Sequence, residues 1–135
     1  MAKFVIKNRY LMINSVDLSA YIRSADLKYA AKGVDATCDG DDTEINAGGL
    51  LNWQVDITLA QDFDALKVDA TLFPLVGQTF TIAMRPTTAV KGATNPEYSG
   101  TGLLTDYPPL GGKAGDLAET KISIKSAGTL GRSTT

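Results

Sequence analysis

Over residues 51–59 apolar and polar side chains alternate without exception, with Leu51, Trp53, Val55, Ile57 and Leu59 set against Asn52, Gln54, Asp56 and Thr58. Successive side chains of an extended strand point to opposite faces, so this pattern predicts a half-buried strand. The first set turns to a core and the second to water or a partner. Residues 118–125 repeat the pattern, placing Glu119, Lys121, Ser123 and Lys125 opposite Ile122 and Ile124. Residues 80–85 alternate as well and stop at Pro86, which has no N–H to give a sheet ladder. Ala25, Leu27, Tyr29 and Ala31 alternate with Ser24, Asp26 and Lys28 and predict a further strand.

Near the start, Tyr10-Leu11-Met12-Ile13 leads through Asn14-Ser15 to Val16-Asp17-Leu18, a short hairpin in which Asn tolerates left-handed backbone. Residues 98–106 predict a strand weakened by Gly100 and Gly102, which remove side chains and mark a bulge or a close backbone approach. One helix is expected over residues 64–73. Asp64 or Asp62 would cap it, Leu66, Ala70 and Phe73 would share a face, and Pro74 would stop it. Two loops separate these elements: residues 33–49, acidic and closed by Gly48-Gly49, and residues 108–115, rich in Gly and Pro. About six short strands and one helix predict a mainly β fold, an antiparallel β-sandwich or barrel-like domain with one short flanking α-helix.

At 135 residues and 44% hydrophobic content the chain holds one core, and residues 1–135 are read as a single domain. The beginning lacks the apolar stretch and cleavage site of a secretory signal, so export by that route is not expected. Cys38 is the only cysteine, which excludes an intramolecular disulfide and suits a reducing cytosol, and it is read as a small, partly buried hydrophobe. The net charge of −2 hides a strong segregation. Residues 1–32 carry six bases and two acids, residues 33–69 one base and nine acids, and residues 70–135 six bases and four acids. Patches of opposite sign let copies of one chain dock head to tail.

The absence of histidine removes Ser-His and Cys-His nucleophile pairs and most transition-metal sites. Glycines at 48–49 and 111–112 are not placed between a strand and a helix, as a phosphate cradle requires. The run Asp39-Gly40-Asp41-Asp42-Thr43-Glu44 misses the spacing of a calcium loop, and helix capping explains Asp62 and Asp64 better than paired acid–base carboxylates do. No stripe of Lys, Arg and aromatic residues offers a grip on nucleic acid. The reading is a non-enzyme with no cofactor and no metal.

Several segments resemble the major tail proteins, or tail tube proteins, of long-tailed bacteriophages, most like those of actinobacterial phages. They are Ile13-Asn14-Ser15-Val16-Asp17-Leu18-Ser19, Trp53 on its long alternating strand, Asp69-Ala70-Thr71-Leu72-Phe73-Pro74-Leu75-Val76-Gly77, Ala93-Thr94-Asn95-Pro96-Glu97-Tyr98-Ser99-Gly100, and Gly115-Asp116-Leu117-Ala118. Ser15 departs from the Gly common at that position. The resemblance implies a structural virion protein made in the bacterial cytoplasm. Six copies would close into a ring, and rings would stack into a tail tube around a tape measure protein and later around DNA as non-specific cargo. One polar strand face would line the channel, either Asn52, Gln54, Asp56 and Thr58 or Glu119, Lys121, Ser123 and Lys125. The acidic loop, with Asp39, Asp41, Asp42 and Glu44, would reach a neighbouring subunit or the next ring, and the rings would associate through sheet edges. A capsid decoration protein, a tail terminator protein and a β-sandwich binding module at a cell surface are the competing readings.

Overall fold

The computed structural model describes residues 3–135. In chain order its elements are β1 (Tyr10–Ile13), β2 (Val16–Asp17), β3 (Ile22–Asp35), β4 (Asn46–Ala60), α1 (Val68–Leu72), β5 (Thr79–Arg85), β6 (Glu97–Asp106), β7 (Glu119–Ser126) and β8 (Gly131–Ser133). All pairs are antiparallel and form one sheet in the order β2-β1-β5-β6-β7-β4-β3, with β8 added to β6. β1 and β3 lie near opposite ends of that order, yet the Arg9 guanidinium donates to the Ala25 carbonyl at 2.6 Å, and Leu11 and Ile13 share one core with Ala25. The sheet therefore curls over its own apolar face, which buries that face without a second layer.

The alternating stretches fold as their pattern dictates. Trp53, Val55, Ile57 and Leu59 of β4 and Ile122 and Ile124 of β7 are buried, joined by Phe80, Ile82 and Met84 of β5. β5 ends at Arg85, immediately before the proline. The β1–β2 hairpin turns through Asn14 and Ser15 at φ 50° and 67°, so Ser15 occupies left-handed backbone where glycine would be relaxed. Gly100 and Gly102 mark a close approach: the Trp53 indole lies against β6 at both positions, and its N–H donates to the Gly128 carbonyl at 2.8 Å.

The fold departs from the sequence pattern at three places. The helix is shorter than residues 64–73. It runs over Val68–Leu72, continues as a 3₁₀ turn through Phe73–Leu75, and has no side-chain cap. The Asp62 carboxylate instead accepts the Asp64 N–H at 3.0 Å within a turn, and Leu66 stands at φ 61°. The face predicted to pack is the exposed one, with Leu66 78% accessible, while Val68, Thr71, Leu72 and Leu75 are buried. Apolar spacing at i, i+4 and i+7 cannot identify a core face when the segment has only one true helical turn.

The second correction concerns residues 33–49, expected as loop. β3 and β4 pair on through Gly33↔Gly48, Val34↔Ala47 and Asp35↔Asn46, leaving only residues 36–45 as the connection. Both faces of this ribbon are exposed, so no alternation of apolar and polar residues announces it. The third correction follows from the second: Leu51, expected in the core, lies on the ribbon beyond the core and is 61% accessible. Residues 108–115 are irregular, as expected.

A half-buried polar cluster fixes α1 to the sheet. The Tyr107 hydroxyl donates to the Asp69 carboxylate at 2.7 Å, and the Gln61 amide donates to the Tyr107 oxygen at 3.0 Å and to the Pro109 carbonyl at 2.8 Å. Burial first, and then the bond to Asp69, push the Tyr107 hydroxyl up to about 12.

Candidate assembly surfaces

The register of β4 on β7 resolves a choice the sequence left open. Gln54 pairs with Lys125, Asp56 with Ser123, Thr58 with Lys121 and Ala60 with Glu119. Paired residues of an antiparallel ladder share a face. The two strand faces considered as alternatives are thus one continuous polar surface, opposite the core. β3 extends it, because Lys28, Asp26 and Ser24 pair with Gln54, Asp56 and Thr58.

That surface is cross-linked. Ser123 donates to the Asp56 carboxylate at 2.9 Å, and the Gln54 amide reaches Asp56 at 3.0 Å and Ser123 at 3.1 Å. The Gln54 bond, then the Ser123 bond, hold the Asp56 carboxyl below the usual carboxylate value. Arg23 and Glu119 form an ion pair at 3.1 Å at the lower end of the strands. Both signs of charge are present on this face, with Arg23, Lys28, Lys121 and Lys125 beside Asp26, Asp56 and Glu119, although Asp26 faces Asp56 across the β3–β4 ladder. Such a surface neither clasps a polyanion nor repels it strongly.

The second surface is the tip of the β3–β4 ribbon. Asp39, Asp41, Asp42 and Glu44 all lie there, exposed. The turn is internally ordered: Cys38 N–H donates to the Asp41 carboxylate at 2.8 Å, Ile45 N–H to the Thr37 hydroxyl at 2.8 Å, and Gly40 takes φ 94°. Asp41 is therefore partly used inside the turn, while Asp39, Asp42 and Glu44 make no side-chain hydrogen bond or ion pair among the described residues. Cys38 is exposed on the same tip, which corrects its reading as a partly buried hydrophobe. Among the described residues no three of Asp, Glu, Cys and His stand close enough to hold a metal.

The third surface is the long outer edge of β3, which pairs only with β4. An unpaired edge of this length carries a row of open N–H and C=O groups able to join a strand of another chain.

Among solved structures, the chain superposes on a chain from the virion of a native gene transfer agent particle with a TM-score of 0.74 at 16% identity, covering 97% of this chain and 99% of that one. It superposes on the SPP1 tail tube with a TM-score of 0.71 at 9% identity, covering 95% and 77%. This is the tail tube fold. A chain from the tail of an empty gene transfer agent particle, refined with C6 symmetry, gives a TM-score of 0.66 at 14% identity over 84% and 82% of the two chains. No family model and no curated protein matches the sequence. The tail tube fold is thus carried here by backbone architecture rather than by residue identity. Sequence reasoning reached the polar strand faces, the acidic tip and association through sheet edges, but did not single out the β3 edge, because no alternation past Ala31 announces the strand.

Proposed function

We propose that the chain is a structural virion protein that self-assembles into six-membered rings and stacks them into the tail tube of a long-tailed phage, a passive conduit for DNA. The near-complete superposition on tail tube chains carries this reading. The C6 symmetry of one matching tail supports the ring number. The sequence segments that resemble actinobacterial phage tail proteins support a host of that kind. Virion tail placement, a tape measure partner and DNA as cargo all belong to the same reading, as does the lack of any enzymatic activity.

In the assembled ring the open β3 edge joins a strand of the neighbouring copy, since backbone pairing satisfies polar groups that would otherwise stay open. The continuous polar face of β3, β4 and β7, with Gln54, Asp56, Thr58, Glu119, Lys121 and Ser123, lines the channel. Its mixed charge lets a polyanion pass without adhering. The ribbon tip with Asp39, Asp41, Asp42 and Glu44 contacts a neighbouring subunit.

The test is negative-stain electron microscopy of the purified protein across concentration and salt, with mass in solution measured in parallel. Stacked rings or uniform tubes are the expected outcome. A protein that stays monomeric under every condition would count against self-assembly. Asp56→Ala or Lys121→Ala should leave tubes intact, and loss of tubes in either would refute the channel assignment.

A further inference from the structure

A groove of about 460 Å³ opens where the curled sheet fails to close, between the free edge of β3 and the β6–β8 side. Its floor is apolar and includes Ala25, Leu27, Tyr29 and Leu130. Its charged lining is Arg9, Arg85 and Arg132, with no carboxylate among the lining residues. Arg85 is engaged, lying 3.9 Å from the Tyr10 ring centroid and 3.4 Å from Glu97 just behind the groove. Arg9 spends one N–H on the Ala25 carbonyl, and Arg132 makes no side-chain hydrogen bond or ion pair among the described residues. The groove is therefore a basic rim on an apolar floor, largely unneutralised.

We propose that this groove receives the acidic ribbon tip of a second copy of the chain. The inference rests on the tail tube reading and names the surface that the tip contacts. Charge selects the occupant. Residues 33–66 contain no Lys or Arg, and the tip gathers Asp35, Asp39, Asp41, Asp42 and Glu44. Val34 and Ile45, exposed beside those carboxylates, match the apolar floor. The other exposed apolar segment near the N-terminus, Phe4-Val5-Ile6, is flanked by Lys3, Lys7 and Arg9 and would bring like charge to the rim.

Reach requires that the tip come from another copy. Tyr29 lines the groove, and from it β3 runs six residues further to Asp35, roughly 20 Å at ~3.3 Å per residue. The ribbon is paired along this length, through a bulge between Ala31 and Gly33, and leads away from its own groove, so the tip cannot fold back into it. A tip on one copy and a groove on the next form a heterologous interface, the kind that closes a ring or propagates a stack.

Cys38, exposed on the tip, supplies a direct test. Gly131 lines the groove, and a Cβ there meets only Ser99 atoms at 3.7 Å or more, so Gly131→Cys is accommodated. Mild oxidation of Gly131→Cys should give a ladder of covalent oligomers on a non-reducing gel, and the same variant carrying Cys38→Ser should give none. Asp39→Lys with Asp42→Lys, or Arg132→Glu alone, should raise the concentration needed for assembly by about ten-fold or more, and combining the two sets should restore it. Wild-type tubes with no ladder and no response to charge reversal would overturn the groove contact and leave the tail tube reading standing. A ladder without tubes would uphold the contact and sink the tube. Monomers with no ladder would refute both.

Discussion

Gly102 should be the least replaceable small residue of the sheet. A Cβ built there collides with Ile124 Cγ2 and comes within 3.2 Å of Trp53 Cη2, and both neighbours are buried in the core. Neither can retreat: Trp53 is 2% accessible and tethered by its N–H to Gly128, and Ile124 is locked in the β7 ladder. Overpacking of this kind costs about 1–3 kcal/mol. Alanine recovers part of that, because glycine in a strand interior is weaker by roughly 0.5–1 kcal/mol. Gly102→Ala should therefore lose about 1–2 kcal/mol net, which for a chain of this size lowers Tm by roughly 4–8 °C. Urea unfolding followed by the fluorescence of Trp53, the only tryptophan, reads the change directly. Gly33→Ala is the control, since nothing lies within 4 Å of a Cβ there, and it should be neutral or slightly stabilising. In an Ile124→Ala background the penalty at Gly102 should shrink or reverse, as expected for residues in contact. A Gly102→Ala protein as stable as wild type, with unshifted fluorescence, would refute the packing argument.

Tyr107→Phe removes the hydroxyl that bridges Asp69 and Gln61 and should cost about 0.5–1.5 kcal/mol, because both partners are half-buried and can turn to water, read by the same unfolding assay. The same residue predicts an alkaline effect. Its folded value is raised from 10.0 to about 12, so the unfolded chain loses its proton first, and stability present below pH 10 should fall between pH 10 and about 12. That slope should be flatter in Tyr107→Phe. At the acid end, Asp56 and Asp62 titrate below 3.8 in the folded state, so their contribution is present above that value and should fade as pH drops through the folded values, with Asp56→Asn reducing the effect. Deleting residues 39–46 should leave a folded subunit by circular dichroism that no longer forms tubes, and normal tubes would show the tip to be dispensable. Hydrogen exchange should find the amides of residues 36–45 fast in the free subunit and protected in tubes.

The core was legible wherever one face of a strand is buried and the other is not. Residues 53–59 and 119–125 carry that asymmetry in every second residue, and both became strands with the expected faces inward. The two glycines of β6 were legible as a close approach, although their partner, Trp53, lies on a distant strand. What failed was the converse. Leu51 continues the alternation of β4, but the curled sheet has no element to cover it, so the pattern outran the core. In α1, Leu66 and Phe73 suggested a packing face, while the turn at residues 62–66 delays the helix to Val68 and rotates the buried side to Val68, Thr71 and Leu72. For the candidate surfaces, residue identity located the acidic tip and both polar strands. Only the cross-strand register shows that the two strands form one face, because register depends on pairing between residues that stand 59 to 71 positions apart in the sequence.

The distal ribbon connects fold to function most directly. Residues 31–51 bury no side chain within their own chain, yet they hold Val34, Ile45, Leu50 and Leu51 exposed, with Leu50 84% accessible. A two-stranded ribbon without a covered face is at best marginally stable in water, and several exposed aliphatic residues on it cost solubility without adding to folding. The strong acidic charge at the tip offsets the solubility cost for a free subunit by keeping copies with like tips apart. In the proposed contact the same charge is attracted to the basic groove of a neighbour, so one feature would both delay random aggregation and direct ordered association. The folding energy of this chain thus resides in the curled sheet, and in the proposed assembly the ribbon's apolar side chains gain their burial between copies.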